Sequence, residues 1–258
     1  MHFDAAIFDM DGVITDTAAV HAAAWKDMFD GFLASRANGA PWAPFGRSDY
    51  LKYVDGRPRY EGVATFLRSR GIALAFGEPA DAPDCETICG LGNRKDRAFN
   101  AILKRDGVGV FDTTLALIEA MRANGTRIAV ATSSKNGTVV LGKAGIAHLF
   151  EAQIDGIVSA ELGLQGKPAP DIFAEACERL GTERHRAIVI EDAVSGVQAG
   201  ARGRFGLTLG IAREDNGEEL KREGADIVVR DLAEISLADL DRWFENTVRT
   251  KPGAARLQ

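Results

Sequence analysis

The sequence predicts an α/β protein in which a doubly wound, Rossmann-like parallel sheet carries an inserted helical domain. Three observations carry that expectation. Four short apolar runs are bounded by polar or glycine-containing turns, helix-like stretches separate them, and a long segment after the first run lacks strand patterns. Continuous short apolar runs read as strands buried on both faces, and their alternation with helices reads as βαβ units.

Taken in order, Ala5–Met10 is the first expected strand. From about Ala18 to Gly107 the alternation stops, leaving helical stretches around Ala18–Leu33, Gly62–Arg70 and Asn93–Arg105. A glycine- and proline-bearing loop is expected over Ala37–Gly46. The rhythm resumes with a helix over Thr113–Asn124, a strand over Arg127–Thr132, a helix over Gly137–Gly145 and a weaker strand pattern at Ile154–Val158. A helix over Pro170–Leu180, a strand over Ala187–Asp192, a helix over Val194–Gly203, a strand over Leu207–Ala212 and a weaker one at Ala225–Val229 follow. Asn124-Gly125 and Leu180-Gly181 are helix stops. The α/β core is therefore expected over 1–17 and 108–248, the helical domain over 18–107, and a frayed tail over 249–258 around Lys251-Pro252-Gly253.

The 258 residues suffice to bury a core without disulfides or structural metals. A net charge of −6 gives no general attraction for nucleic acid or anionic membrane, so bound phosphate must be held by a few placed basic groups. The longest stretch free of Asp, Glu, Lys and Arg, Ala37–Gly46, is far too short to cross a membrane. Asp4, Asp9 and Asp11 interrupt any signal-peptide pattern, and three cysteines without a CxxC fit a reduced, cytoplasmic protein.

Chemistry concentrates at the expected strand ends. Asp9 and Asp11 follow the first strand directly, where open parallel sheets bind ligands. Two carboxylates so close resist joint ionisation unless a cation sits between them, which suggests a hard ion such as Mg²⁺. A carboxylate can also attack phosphorus while a second one handles the proton. After the second core strand, Thr132-Ser133-Ser134-Lys135-Asn136 offers hydroxyls, a lysine and helix N-terminal amides to a phosphate. Two prolines follow Lys167 and fix the loop that displays it, and Glu191-Asp192 closes the fourth strand with two more acids. Any one of these is explained by a turn, a cap or a surface lysine. Together, at four strand ends, they point to phosphoryl transfer.

The order DxDGV, ATSSKN, GKPAPD and IED resembles the haloacid dehalogenase-like superfamily, and the run from Asp9 to Thr17 with His21 and Trp25 is similar to its β-phosphoglucomutase branch. The resemblance implies the HAD-type core with a helical cap, and interconversion of β-D-glucose 1-phosphate and glucose 6-phosphate through β-glucose 1,6-bisphosphate. It implies Asp9 as nucleophile and Asp11 as general acid and base. Mg²⁺ would be held by Asp9, the Asp11 backbone carbonyl and Asp192, with Glu191 in support. Thr132 and Lys167 would stabilise the phosphoryl group at Asp9, while Ser134, Lys135 and Asn136 would grip the other phosphate or its sugar. Gly56, Arg57 and Arg59 match the family's substrate-specificity loop, Lys95 a sugar contact and Trp25 a substrate-binding position that also packs with His21 as a hinge pair, while His21 would link cap closure to Asp11. Asp96, Asp112 and Ala193 depart from residues usual in the family, and 37–46 looks like a cap insertion.

A small phosphorylated sugar is thus the expected partner, with neither nucleic acid nor membrane, and a monomer the expected state. A Mg²⁺-dependent sugar-phosphate phosphatase on the same scaffold is the alternative enzyme, because Asp9 and Asp11 serve both. A phospho-receiver is disfavoured by the early position of the acidic turn and the large helical insert. A degenerate sugar-phosphate binder is disfavoured because every expected catalytic position is filled.

Overall fold

The computed structural model describes residues 1–37, 39, 41–213 and 215–250. Six strands, β1 (Ala5–Phe8), β2 (Arg127–Ala131), β3 (Ala152–Ile154), β4 (Ala187–Glu191), β5 (Leu207–Ile211) and β6 (Ile227–Val229), form one parallel sheet in the order β3-β2-β1-β4-β5-β6. The strand order reverses beside β1, which is where a doubly wound sheet opens its ligand crevice. Phe8 pairs with both Val130 and Ile190, so the residues that follow β1, β2 and β4 emerge at one level.

Alternate residues of these strands face opposite sides. Ala5, Ile7, Ala129, Ala187 and Val189 pack against α8 (Asp171–Leu180), with α9 (Val194–Gly203) beside it. Ala6, Phe8, Ile128, Val130, Ile188 and Ile190 share the other face with Leu117 and Ile118 of α5 (Asp112–Ala123), Val140 of α6 (Gly137–Lys143), and Leu240 and Phe244 of α11 (Leu237–Thr250). Burial on both sides explains why these strands read as unbroken apolar runs.

Between β1 and α5 lie α1 (Ala18–Ala37), α2 (Arg47–Asp49), a π-turn at Tyr50–Val54, α3 (Arg59–Ser69) and α4 (Ile88–Asp106). They close around an aromatic cluster of their own: Phe29 lies 4.1 Å from Phe66 and 5.0 Å from Phe45 between ring centroids, with Trp25, Val63 and Leu91 around them. Rings buried this fully stabilise by roughly 1.5–3 kcal/mol each. Phe99 and Leu103 of α4 join the core cluster instead, tying the helical segment to the sheet.

Several boundaries differ from the sequence reading. The apolar run at Ile154–Val158 is split by Asp155, whose side chain caps α7 (Gly156–Glu161) by accepting from the amides of Ile157 and Val158. The expected strand is therefore Ala152–Ile154, followed by a helix. Helix α4 begins five residues before the expected Asn93, because the Thr87 hydroxyl accepts from the Gly90 amide at 2.9 Å. Helix α3 begins at Arg59 directly after Pro58. Helices α10 (Gly217–Arg222) and α11 were not expected at all. Of the expected tail, Arg249 and Thr250 belong to α11, and 251–258 lie outside the described residues. No helix among the described residues is long and apolar enough to cross a membrane.

Candidate active site

The aligned ends of β1, β2 and β4 bring Asp9, Thr132, Glu191 and Asp192 together, as the sequence reading requires. Lys167 reaches them from the loop before α8. Its fully buried ammonium donates to Asp9 Oδ1 and, at 2.5 Å, to Glu191 Oε1, and lies 4.9 Å from the centre of the Phe173 ring. Burial alone would push the Lys167 pKa down, but the carboxylates of Asp9 and Glu191 outweigh it and hold the pKa above its ordinary value. Asp9 is raised well above the usual carboxylate range by burial, against the pull of Lys167 and helped by Glu191 and Asp11. Asp192 is raised likewise, by burial and then by Glu191, Asp55 and Asp9.

Asp9, Glu191 and Asp192 each offer a carboxylate oxygen within 4.8 Å of the others. Three hard oxygen donors with one lysine leave a net formal charge of −2 in a buried place, a donor set and charge that suit a divalent hard cation. Gly12 packs directly on this cluster: at φ +86°, any Cβ there would fall 1.9 Å from Asp192 Oδ2.

The carboxylate of Asp11 faces a different set of partners. It accepts from the Thr17 hydroxyl, and His21 Nε2 lies 3.2 Å from Asp11 Oδ1. Burial would raise its pKa, yet His21, Thr17 and Lys95 bring it below the ordinary value. Lys95 Nζ donates to His21 Nδ1 at 2.6 Å. A charged ammonium only donates, so Nδ1 accepts and Nε2 carries the proton that faces Asp11. His21 also packs on Phe99, 4.0 Å between ring centroids. Burial, then the nearby Arg59, depresses Lys95 to about 7, and burial with Lys95 lowers His21.

The helical segment supplies the opposite wall of the cleft. Its loop is fastened to the core by Ser133 Oγ, which donates to the Gly56 carbonyl at 2.9 Å, and by Ser195 Oγ, which donates to the Asp55 carbonyl at 3.1 Å. Gly56, at φ +66°, sits so close to Ser195 that a Cβ would lie 2.4 Å from its hydroxyl. Trp25, Arg57, Arg59 and Lys95 line the cavity from this side, Ser134, Lys135 and Asn136 from the core. Arg59 is bound to Asp96, Arg57 to Glu61 at 3.0 Å, and Trp25 stacks on Phe29 while the Lys95 ammonium lies 5.1 Å from its centre. Ser134 Oγ accepts from the Asn136 amide at 3.2 Å, and the Lys135 ammonium lies 4.7 Å from the centre of the Tyr60 ring.

A family model described as haloacid dehalogenase-like hydrolase matches residues 3–204. A β-phosphoglucomutase of Mycobacterium bovis is 45% identical over 237 residues, covering 90% of each chain. The chain belongs to the β-phosphoglucomutase family of haloacid dehalogenase-like proteins. Among solved structures, β-phosphoglucomutase of Clostridium difficile superposes with a TM-score of 0.77 at 23% identity, covering 96% of this chain and 99% of that one. CbbY of Rhodobacter sphaeroides, solved in complex with phosphate, gives 0.68 at 25% identity over 93% and 99%.

For a member of this β-phosphoglucomutase family, the structure adds roles that the sequence reading did not assign. Ser133 and Ser195 fasten the cap loop. Asp55, half-buried beside the strand ends, is pushed up to about 7 by desolvation and by Glu191. Tyr50 lies close to Asp55, and its pKa is raised by burial and then by that carboxylate. Asp96, noticed in the sequence only as a departure, stands between Arg59 and Asn136. None carries a local signature, and Ser133, Ser195 and Asp96 find their partners only across the cleft.

Proposed function

We propose that this chain is a β-phosphoglucomutase, interconverting β-D-glucose 1-phosphate and glucose 6-phosphate through β-glucose 1,6-bisphosphate. One observation carries the reading. One cleft is lined at the strand ends by Asp9 and Asp11, with Lys167 bonded to Asp9, and also by a second group of donors suited to phosphate, Arg59, Lys135 and Asn136, together with Lys95. A substrate with a phosphate at each end needs both sets at once. CbbY, bound to phosphate, shows that a relative's scaffold takes that anion.

In this reading phosphorylated Asp9 gives its phosphoryl group to the sugar 6-hydroxyl, the P–O bond to the aspartyl oxygen breaking as the bond to the sugar oxygen forms. Asp11 takes the hydroxyl proton. After the bisphosphate turns round, Asp9 takes the phosphoryl group from carbon 1 and Asp11 returns the proton to the departing oxygen. Lys167 and Thr132 offset charge at the transferring group, where fixed donors count most. Asp9, Asp192 and the Asp11 carbonyl, with Glu191 behind, would hold Mg²⁺, whose charge offsets that of the carboxylates and the phosphoryl oxygens. His21, held by Lys95, fixes the direction of the Asp11 carboxylate. The Ser133 and Ser195 contacts keep the cap loop over the site and water out, so the phosphoryl group passes to sugar.

The division of labour follows: 1–17 with 108–248 as the catalytic core, 18–107 as the cap. Free Cys85, Cys89 and Cys177 support placement in the reduced cytoplasm, and we take the working unit as a monomer. The test is a two-product assay on purified protein with Mg²⁺, β-glucose 1-phosphate and catalytic bisphosphate. Glucose 6-phosphate formed well ahead of inorganic phosphate supports the mutase, and phosphate released without isomerisation makes the chain a phosphatase.

A further inference from the structure

Asp96 sits on α4 where the cap faces the core loop after β2, and its carboxylate is surrounded by donors. Asp96 Oδ1 accepts from Arg59 Nη2 at 2.6 Å and from Asn136 Nδ2 at 2.8 Å. Its charge also reaches the ammonium groups of Lys95 and Lys135. Arg59, Lys135 and Asn136 are groups assigned above to the phosphate remote from Asp9, and Lys95 is the expected sugar contact beside them. Arg59 belongs to the cap and Asn136 to the core, so one carboxylate oxygen joins the two walls of the cleft. Carboxylate and phosphate oxygens compete for the same guanidinium fork.

We propose that Asp96 is an internal anion of the distal phosphate subsite and sets its selectivity. It holds Arg59 and Asn136 together across the cleft in the absence of substrate. An incoming group must displace it from both and bear its repulsion. A dianionic phosphate has the charge to do so, whereas a neutral hydroxyl or a single carboxylate does not. Asp96 therefore raises the KM for phosphorylated sugars and leaves the transfer step at Asp9 alone. The proposal rests on the distal-phosphate reading of Arg59 and Asn136.

The test is calorimetric binding of glucose 6-phosphate to wild type, Asp96→Asn and Arg59→Ala, with melting temperatures as a check on folding. Asparagine keeps the shape and one acceptor oxygen and removes the charge. Asp96→Asn is expected to bind about tenfold tighter at low salt, the gain shrinking in 0.5 M NaCl as the lost repulsion is screened anyway. Its KM should fall with kcat within about twofold of wild type. A residue that merely braces the cap would weaken binding when replaced. Arg59→Ala weakened with Asp96→Asn unchanged or weaker overturns the proposal and leaves the distal subsite standing. Arg59→Ala with unaltered affinity overturns the subsite itself, and the proposal with it.

Discussion

Replacing Lys167 by Met removes the one cation held between Asp9 and Glu191 while keeping much of the side chain's bulk. The lysine is completely buried and donates to both carboxylates. Removing one partner of a buried pair costs about 3–5 kcal/mol, because the remaining charges are left uncompensated. For a domain of this size that is a fall of roughly 6–20 °C in melting temperature. The three carboxylates carry −3, Lys167 brings the cluster to −2, and a divalent ion brings it to zero. The loss should therefore be largest in EDTA and partly restored by Mg²⁺. It should also depend on pH in a fixed direction. Asp9 and Asp192 already have pKa values above the ordinary range, and loss of the lysine raises them further. A group raised in the folded state stabilises below its unfolded pKa, and that contribution is lost as pH rises through the folded value. The gap between variant and wild type should widen from pH 5 to pH 8. Thermal unfolding by circular dichroism, with and without Mg²⁺ at both pH values, measures it. A fall below about 2 °C in EDTA at pH 8, or one indifferent to pH and metal, would refute the electrostatic account of this cluster.

Four further predictions concern the cap. His21→Ala should lower kcat at least tenfold with KM within about threefold, since positioned proton transfer is worth roughly 10²–10⁴ and only its alignment is lost; equal losses in steady-state kcat and in sugar binding would contradict it. Lys95, depressed to about 7, is charged below that pH and neutral above it, so glucose 6-phosphate titrated calorimetrically should bind more weakly from pH 6 to pH 8.5, and Lys95→Met should flatten the profile. Because the Lys95 pKa is lowered in the folded state, its contribution to stability rises with pH between about 7 and 10.4, by at most ~1.4 kcal/mol per pH unit, and urea titrations of wild type and Lys95→Met should differ in that slope. Gly56→Ala puts a methyl group 2.4 Å from the Ser195 hydroxyl at a positive φ, so the cap loop should lift and the ratio of inorganic phosphate to glucose 6-phosphate should rise severalfold.

Much of the site was legible because its residues stand immediately after buried strands. Asp9, Thr132, Glu191 and Asp192 each follow or end an apolar run, and flush register converts that sequence position into a common point in space. Lys167 was legible from the prolines around it, although its burial was not. What escaped the sequence was local competition and long-range contact. Asp155 falls inside the strand expected over Ile154–Val158 and is a helix cap. Helix α4 was shortened in the reading because Gly90 and Gly92 hide its first turn, which Thr87 secures. The fastenings of the cap, Ser133 to Gly56 and Ser195 to Asp55, join residues 77 and 140 positions apart, and no periodicity reports such pairs. The role of Asp96 is invisible for the same reason: Arg59 and Asn136 become its neighbours only when cap and core meet.

Whether phosphate is carried covalently on Asp9 is decided by rapid acid quenching after mixing with ³²P-labelled β-glucose 1,6-bisphosphate. One acid-stable, hydroxylamine-labile label per chain is expected, mapped by peptide mass to Asp9 and absent from Asp9→Asn. A protein that turns over without ever acquiring that label, or an Asp9→Asn variant that retains isomerase activity, would contradict it.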